Sequence, residues 1–412
     1  MSSTHGTPDV DLESAIRAGA PKALAALLRR YGTFDQCEDA VQEALLEAFV
    51  QWRANGVPEK PVGWLVSVAT RRLMDGWRRD NARRQREVND HLRTPAVEED
   101  HVPDTDDTLR LLVLCCHPAL TPASQIALTL RSVGGLTTAE VAAALLVGET
   151  IVAQRISRAK RTIKDSGARF ELPSGQEYDE RLRAVLHVLY LIFNEGHTAS
   201  AGDDLQRLDL AAEALRITRM LRRAAPGADE VTGLLALMIL THARRDARTG
   251  PGGDLVPADR QDRSRWHADE IAEGTALVEA ALTSGPVGPY QLEAAIAAVH
   301  SEADSVETTD WEEIAGLYRI LAEVDPGPMV TLGSAVAVAM TEGPQAGIDV
   351  VEGLAGDRYL GDHHRRLSVL AHLQELAGRP DLAREHYLAA LDRTRNTAEQ
   401  NYLRERITRL TP

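Results

Sequence analysis

Aromatic residues make up only 4% of the 412 residues, and cysteine occurs three times. β-branched residues are scattered and never gather into alternating runs, which argues against any sizeable sheet. The cysteines, Cys37, Cys115 and Cys116, are odd in number and two are adjacent, which excludes a disulfide framework. Cys115-Cys116-His117 has no second ligand pair at a metal-binding spacing, so buried structural thiols are expected and no metal or cofactor. Long apolar runs are also missing: Gly233–Leu240 is far too short to span a bilayer. Met1 to Asp11 lacks the charged-then-apolar layout of a signal peptide, so a cytoplasmic protein with no membrane attachment is expected. No phosphate-binding loop or nucleophile motif is present, and an enzyme is not expected.

What is abundant is Ala, Leu and Arg, residues that lose little freedom in a helix, and an all-α fold follows. Its length allows two to four domains. The net charge of -15 is unevenly spread. Residues 1–171 hold 22 Lys/Arg and 23 Asp/Glu, a balance of -1, and the remainder holds 24 and 38, a balance of -14. After Lys164 every basic residue is arginine. The acidity belongs to the C-terminal half, and the N-terminal half is free to carry basic clusters.

Four segments emerge. Residues 10–90 read as a helical domain: one helix with Leu12, Ile16, Leu24, Leu27 and Leu28, interrupted near Gly19-Ala20-Pro21, a second from about Asp35 to Trp52, and a third from about Pro61 to Arg86. Between the last two, Asn55-Gly56 and two prolines mark a loop. Residues 91–107, rich in Asp, Glu and Pro, have little with which to build a core and read as an acidic flexible linker. Residues 108–170 form a second helical domain. Residues 177–412 are a run of amphipathic helices, in which Leu367, Leu370, Ala371, Gly378, Ala383, Tyr387 and Ala390 fit a tetratricopeptide-like helix pair opened on its second helix by Pro380. Gly343 precedes Gly378 by 35 residues, a suggestive period.

Two constellations carry chemistry. In the second helix Ala40, Ala44 and Ala48 line one face with Val41, Leu45 and Phe49 beside them, leaving Asp39, Gln42, Glu43 and Glu47 outward. The third helix interleaves Trp64 and Trp77 with basic residues, and eight arginines lie between Arg71 and Arg93. Arginines supply phosphate contacts and aromatic rings stack on unpaired bases. Further on, Leu136 to Ile163 fits a helix-turn-helix. Thr137 or Thr138 caps its first helix with Glu140, Leu146-Val147-Gly148 turns, and Glu149 opens the second. There Ile151, Val152, Ile156, Ala159 and Ile163 suit the core. Thr150, Gln154, Arg155, Ser157, Arg158, Lys160, Arg161 and Lys164 stay outside, as a base-reading helix with a basic end requires.

Asp39-Ala-Val-Gln-Glu-Ala, the Pro/Gly loop, Gly63-Trp-Leu, Ala69-Thr-Arg-Arg-Leu-Met-Asp and Arg78-Arg79 resemble region 2 of sigma-70-family RNA polymerase sigma factors of the extracytoplasmic-function type. The helix-turn-helix resembles region 4. Val147 to Arg161, with Asn194-Glu-Gly-His197, Gln261-Asp-Arg-Ser-Arg-Trp266 and Gly288-Pro-Tyr290, resembles a subgroup with a tetratricopeptide-like C-terminal extension. That resemblance implies that Asp39, Gln42, Glu43 and Glu47 meet core RNA polymerase at the β′ clamp helices, with the β subunit as a further partner. It implies that Lys60, Trp64, Arg71, Arg72, Arg78 and Arg79 read the -10 element of promoter DNA. It assigns the -35 element to Thr150, Gln154, Arg155, Arg158, Lys160 and Arg161, and it names a small DGPF-type protein as a partner. The alternative is a stand-alone helix-turn-helix regulator with a C-terminal sensor; such a protein has no need of residues 35–86. Asn194, Glu195, His197, Asp262, Arg263 and His267, in helix-joining stretches of the extension, are expected to fix loops or meet partners rather than to catalyse.

Overall fold

The computed structural model describes residues 8–85, 107–283 and 285–411, and they divide into two units between Leu189 and Tyr190. The first unit opens with α1 (Pro8–Tyr31), α2 (Phe34–Asn55) and α3 (Pro61–Gln85). Leu24, Leu27 and Leu28 of α1 meet the α2 stripe of Phe34, Cys37, Val41, Ala44, Ala48 and Trp52 and the α3 residues Leu65, Ala69 and Leu73, all buried. The expected interruption at Gly19-Ala20-Pro21 does not occur, since α1 runs through Pro21. Gly19 serves packing, not termination: a side chain there would fall 2.8 Å from Leu65. The Arg17 carbonyl, which Pro21 has no N–H to bond, is approached by Gly135, where a Cβ would sit 3.6 Å away.

The chain continues through α4 (Thr108–Cys115), α5 (Pro122–Ser132), α6 (Thr138–Ala144) and α7 (Glu149–Asp165). The predicted linker, apart from Asp107, lies outside the described residues. Asp107 is buried and receives Arg29 of α1 and Arg110. The three cysteines are buried, and burial pushes the thiols of Cys37 and Cys116 up to about 11 and about 12. The division between units falls inside α8 (Gln176–His197), whose Leu182, Val185, Leu186, Leu189 and Ile192 are all buried.

The second unit continues with α9 (Leu208–Ala224), α10 (Asp229–His242), α11 (Ala268–Leu282), α12 (Pro289–Glu302), α13 (Trp311–Val324), α14 (Pro328–Glu342), α15 (Pro344–Glu352), α16 (His364–Leu376), α17 (Pro380–Leu391) and α18 (Thr397–Arg409). Each of α12 to α17 packs on the next. Gly343 and Gly378, at φ +100° and +70°, end α14 and follow α16, and prolines open α15 and α17. The predicted helix pair is α16–α17, with Leu367, Ala371, Ala383, Tyr387 and Ala390 in one apolar cluster. A two-residue parallel pairing of Ala201–Gly202 with Arg395–Asn396 joins the start of this unit to its end. Asn396 reinforces it by donating to the carbonyls of Ala199 (3.1 Å) and Asp204 (2.9 Å).

Candidate polymerase and nucleic-acid interface

On α2 the positions Asp39, Gln42, Glu43, Leu46, Phe49 and Val50 recur at three- and four-residue spacing and form one face. Leu46, Phe49 and Val50 are exposed (71%, 44% and 69%), an apolar end to an acidic stripe. Sequence reasoning placed Phe49 beside the buried line and passed over Leu46 and Val50. Their offset from Ala40, Ala44 and Ala48 was the available signal. Glu47 lies off this stripe: its carboxylate takes Arg72 at 2.7 Å and Arg71 at 3.3 Å, bracing α2 to α3. The hydrogen bond that Arg72 donates to Glu47, and the charge of Glu47, raise the Arg72 guanidinium above its ordinary value.

Lys60 is exposed just before α3, and Arg71, Arg72, Arg78 and Arg79 are exposed along it. Arg78 approaches Asp75 (3.5 Å), and Arg79 donates to the Asp75 carbonyl (3.3 Å). Trp64 is half-buried, edge-on to Trp52 with centroids 5.3 Å apart, so one part of its ring packs and another remains open. Trp77 donates to Gln36 of α2 at 2.8 Å and meets Tyr31 of α1 edge-on, which ties all three helices together.

The helix-turn-helix comprises α6 and α7. Thr137 is the cap: its hydroxyl accepts from the Glu140 N–H (3.1 Å) while its own N–H donates to the Glu140 carboxylate (2.7 Å). Within the turn Leu146 takes φ +51°, the left-handed region where a side chain with a Cβ is strained. In α7 Val152, Ile156, Ala159 and Ile163 are buried as expected, but Ile151 is 51% exposed and not in the core. It sits in the first turn of the helix, at the groove that α7 shares with the start of α5. Thr150, Gln154, Arg158 and Arg161 are exposed and Arg155 half-buried. Gln154, Arg155 and Arg158 line a groove of about 400 Å³ between α7 and the start of α5.

Lys160 corrects the expectation that it stays outside. It is only 8% exposed, with its ammonium between Asp39 (2.8 Å), Glu38 and, further off, Asp35 (4.0 Å) on α2. Glu38 is 1% exposed and also faces Arg131 of α5 at 3.3 Å. Burial alone would lower the Lys160 pKa, but the charges of Glu38 and Asp39 hold it above its ordinary value. Spacing could have revealed both groups. Lys160 lies four residues after Ile156 and three before Ile163, and Glu38 four after Phe34 and three before Val41. A second ion pair, Arg17 with Glu140 at 3.1 Å, joins α1 to α6. In this arrangement the acidic helix and the recognition helix satisfy each other.

In the extension Asn194, Glu195 and His197 lie within α8 and not in a helix-joining stretch, while Asp262, Arg263 and His267 lie between α10 and α11. Glu195 accepts from the Ser200 N–H and hydroxyl, and Asp262 accepts from the same two groups of Ser264. His267 pairs with Asp246 at 2.8 Å, His197 stacks on Phe193, and Asn194 bonds the Tyr190 hydroxyl. Arg263 donates to the carbonyls of His300 and Ala303.

Comparison with known proteins agrees with this geometry. Residues 15–84 match the family description Sigma-70 region 2, residues 110–163 match Sigma-70, region 4, and residues 181–282 match a family of unknown function, DUF6596. An uncharacterized protein of Rhizobium meliloti (strain 1021) is 38% identical over 409 residues, covering 97% of this chain and 96% of its own length. Among the described residues no helix is long and apolar enough to cross a membrane. The α1–α3 bundle with its basic, tryptophan-bearing third helix, followed by a capped helix-turn-helix, is the two-part build of a promoter-reading subunit. The chain belongs to the sigma-70 family, consistent with the extracytoplasmic-function type, as a sigma factor with a helical C-terminal extension that partners core RNA polymerase and promoter DNA to direct transcription initiation.

Proposed function

We propose that the stripe of Asp39, Gln42, Glu43, Leu46, Phe49 and Val50 docks on the β′ clamp helices of the polymerase. The single observation that carries this is three exposed apolar side chains continuing an acidic helical face, since contiguous exposed apolar surface marks an interaction site. Glu47 braces the arginines of α3 and does not itself reach the polymerase. Within residues 10–90, Lys60, Trp64, Arg71, Arg72, Arg78 and Arg79 meet the -10 element, Trp64 through the open part of its ring. Within residues 108–170, Thr150, Gln154, Arg155, Arg158 and Arg161 meet the -35 element from the groove side of α7.

The joint between α2 and α7 must separate for this to happen. The two promoter elements lie roughly 25 base pairs apart, about 85 Å of B-form DNA. Lys160 is bonded to the helix on which α3 packs, so the two helices cannot reach both elements while that bond holds. Lys160 joins the -35 contacts only after release. Residues 177–412 modulate the activity. The subunit is non-catalytic and cytoplasmic, the β subunit is a further contact, and resemblance alone names a small DGPF-type protein as a partner of the extension.

The test is run-off transcription and co-purification with core polymerase using Glu43→Arg, which leaves the Lys160 joint intact, and, separately, Leu46→Glu. Both are expected to lose polymerase binding with unchanged helix content. Co-purification at the wild-type level by both variants refutes the assignment of this face.

A further inference from the structure

The stretch Gln261-Asp-Arg-Ser-Arg-Trp266 borders a cavity through Arg263 and Trp266. Three short segments and four helices of the second unit surround a space of about 190 Å³. Arg244 follows α10, Arg263 and Trp266 belong to a single 3-10 turn and the residue after it, His300 lies in the last turn of α12, and Trp311 opens α13. Val336 and Met340 of α14 add apolar wall, and Asp259 stands exposed at the rim.

Arg263 has the charges of Asp304 and Glu307 nearby, but Arg244 has no carboxylate to offset it. Trp266 is 8% exposed, with the Arg263 guanidinium 4.7 Å and the Arg244 guanidinium 5.6 Å from its ring. Neither arginine makes an ion pair among the described residues, although the same unit matches other half-buried arginines well, as Arg245 with Glu270 and Arg216 with Glu213, both at 2.6 Å. The half of the chain that holds 38 acids places none against Arg244. Its Nε is buried without a hydrogen-bond partner, and so is the Trp266 indole N–H. Burial, then the neighbouring Arg263, brings the Arg244 pKa down to about 10, still charged at neutral pH. Burial and the two arginines bring His300 down to about 4, so its imidazole is neutral there and faces Trp311 edge-on at 5.3 Å. A half-buried cation without a counter-ion and two buried donors left unmatched cost stability, a cost that recurs where a ligand supplies the missing partner.

We propose that this cavity binds a small organic anion, a carboxylate carried on a compact apolar or aromatic body. The carboxylate accepts from Arg244, with Arg263 adding its field, and the body lies against Trp266, Trp311, Val336 and Met340. A few polar groups converging on an apolar wall are the usual build of a small-molecule site. The Arg–carboxylate bond is the charge-assisted one that fixes orientation. This site does not depend on how the first unit meets polymerase or DNA.

The test titrates full-length protein with benzoate, benzamide and benzylamine by calorimetry. Benzoate is expected to bind with one equivalent per chain, and the neutral and cationic relatives at least about tenfold more weakly, the factor set by one hydrogen bond to a charged group. Arg244→Met keeps the aliphatic stem and is expected to lose benzoate binding by at least about tenfold. Its melting temperature should equal or exceed that of the wild type, because a half-buried cation without a counter-ion is gone. Arg244→Lys retains part of the affinity. Met340→Trp fills the cavity without touching a charge and should block benzoate as well. Equal binding of benzoate and benzamide, unchanged benzoate binding by Arg244→Met and Met340→Trp, or no binding of any probe at about 10 mM overturns the proposal.

Discussion

Lys160→Met removes the charge that joins α7 to α2 and keeps the length of the side chain. Lys160 and Glu38 have side chains 10% and 2% exposed, so their pair is not a screened surface contact. Removing one member of a buried pair costs about 3–5 kcal/mol when the other is left uncompensated. Glu38 keeps Arg131 at 3.3 Å, so the cost should fall to about 2 kcal/mol. If polymerase binds only the separated arrangement, that energy comes out of closure and reappears as affinity, about thirtyfold for 2 kcal/mol. The assay is fluorescence anisotropy of labelled full-length protein with core polymerase and no DNA. Wild type is compared with Lys160→Met and with Lys160→Arg, which keeps the charge. Tighter binding by Lys160→Met, up to about thirtyfold, is expected, with Lys160→Arg near wild type. Combining it with Glu38→Gln should give less than the sum of the two effects. Unchanged or weaker polymerase binding by Lys160→Met, or strict additivity with Glu38→Gln, refutes the idea that this joint holds the two helices closed.

On α7, Gln154→Ala and Arg155→Ala should cost about 1–3 kcal/mol of discrimination between matched and altered -35 sequences, while Arg161→Ala should lower the salt slope by about one unit. Equal losses on every promoter would contradict this division. Gly196→Ala would place a Cβ 2.4 Å from the Ala211 backbone nitrogen, so about 3 kcal/mol of stability should go as α8 and α9 part. Gly76→Ala in α3, with nothing within 4 Å, should be neutral or stabilising by about 0.5–1 kcal/mol in thermal unfolding. Burial, with Asp325 and Glu230 nearby, raises Glu293 to about 7 despite its hydrogen bond with Tyr190. Its folded pKa lies above its unfolded one, so its contribution is complete below about pH 4.5 and is lost as pH rises through about 7, some 3 kcal/mol in all. Glu293→Gln should therefore gain stability over wild type between pH 5 and 8. His197, His242 and His300 have depressed folded pKa values and act in the opposite direction as pH falls, but they cancel in that difference. A gap that does not change with pH would show Glu293 to be solvated.

Periodicity and capping chemistry are local, and they made the helices readable. The run from Pro61 to Arg86 appears as Pro61–Gln85, Thr137 with Glu140 closes the capping box, and Pro380 opens α17. The motifs at residues 35–86 and 136–163 carried the family for the same reason, since their spacing is fixed by pairs of helices and the short connections between them. Pro21 was misleading because a break is the local expectation for proline. In the structure α1 runs through it, with α3 packed at Gly19 and Gly135 close to the Arg17 carbonyl.

The sequence by itself determined which residues are helical, which faces are apolar and where the acidic surplus lies, because neighbours three and four residues apart decide these. What only the tertiary structure decided is which charges meet. Lys160 and Glu38 look like surface groups in isolation and become a buried pair because 122 positions of chain bring α7 against α2. Arg244, Arg263 and Trp266 are ordinary loop residues in sequence, and they come to line one cavity because α12, α13, α14 and α16 close around them without supplying a carboxylate to Arg244. Electrostatic energy depends on distance and burial, and neither is a property of the chain until it has folded.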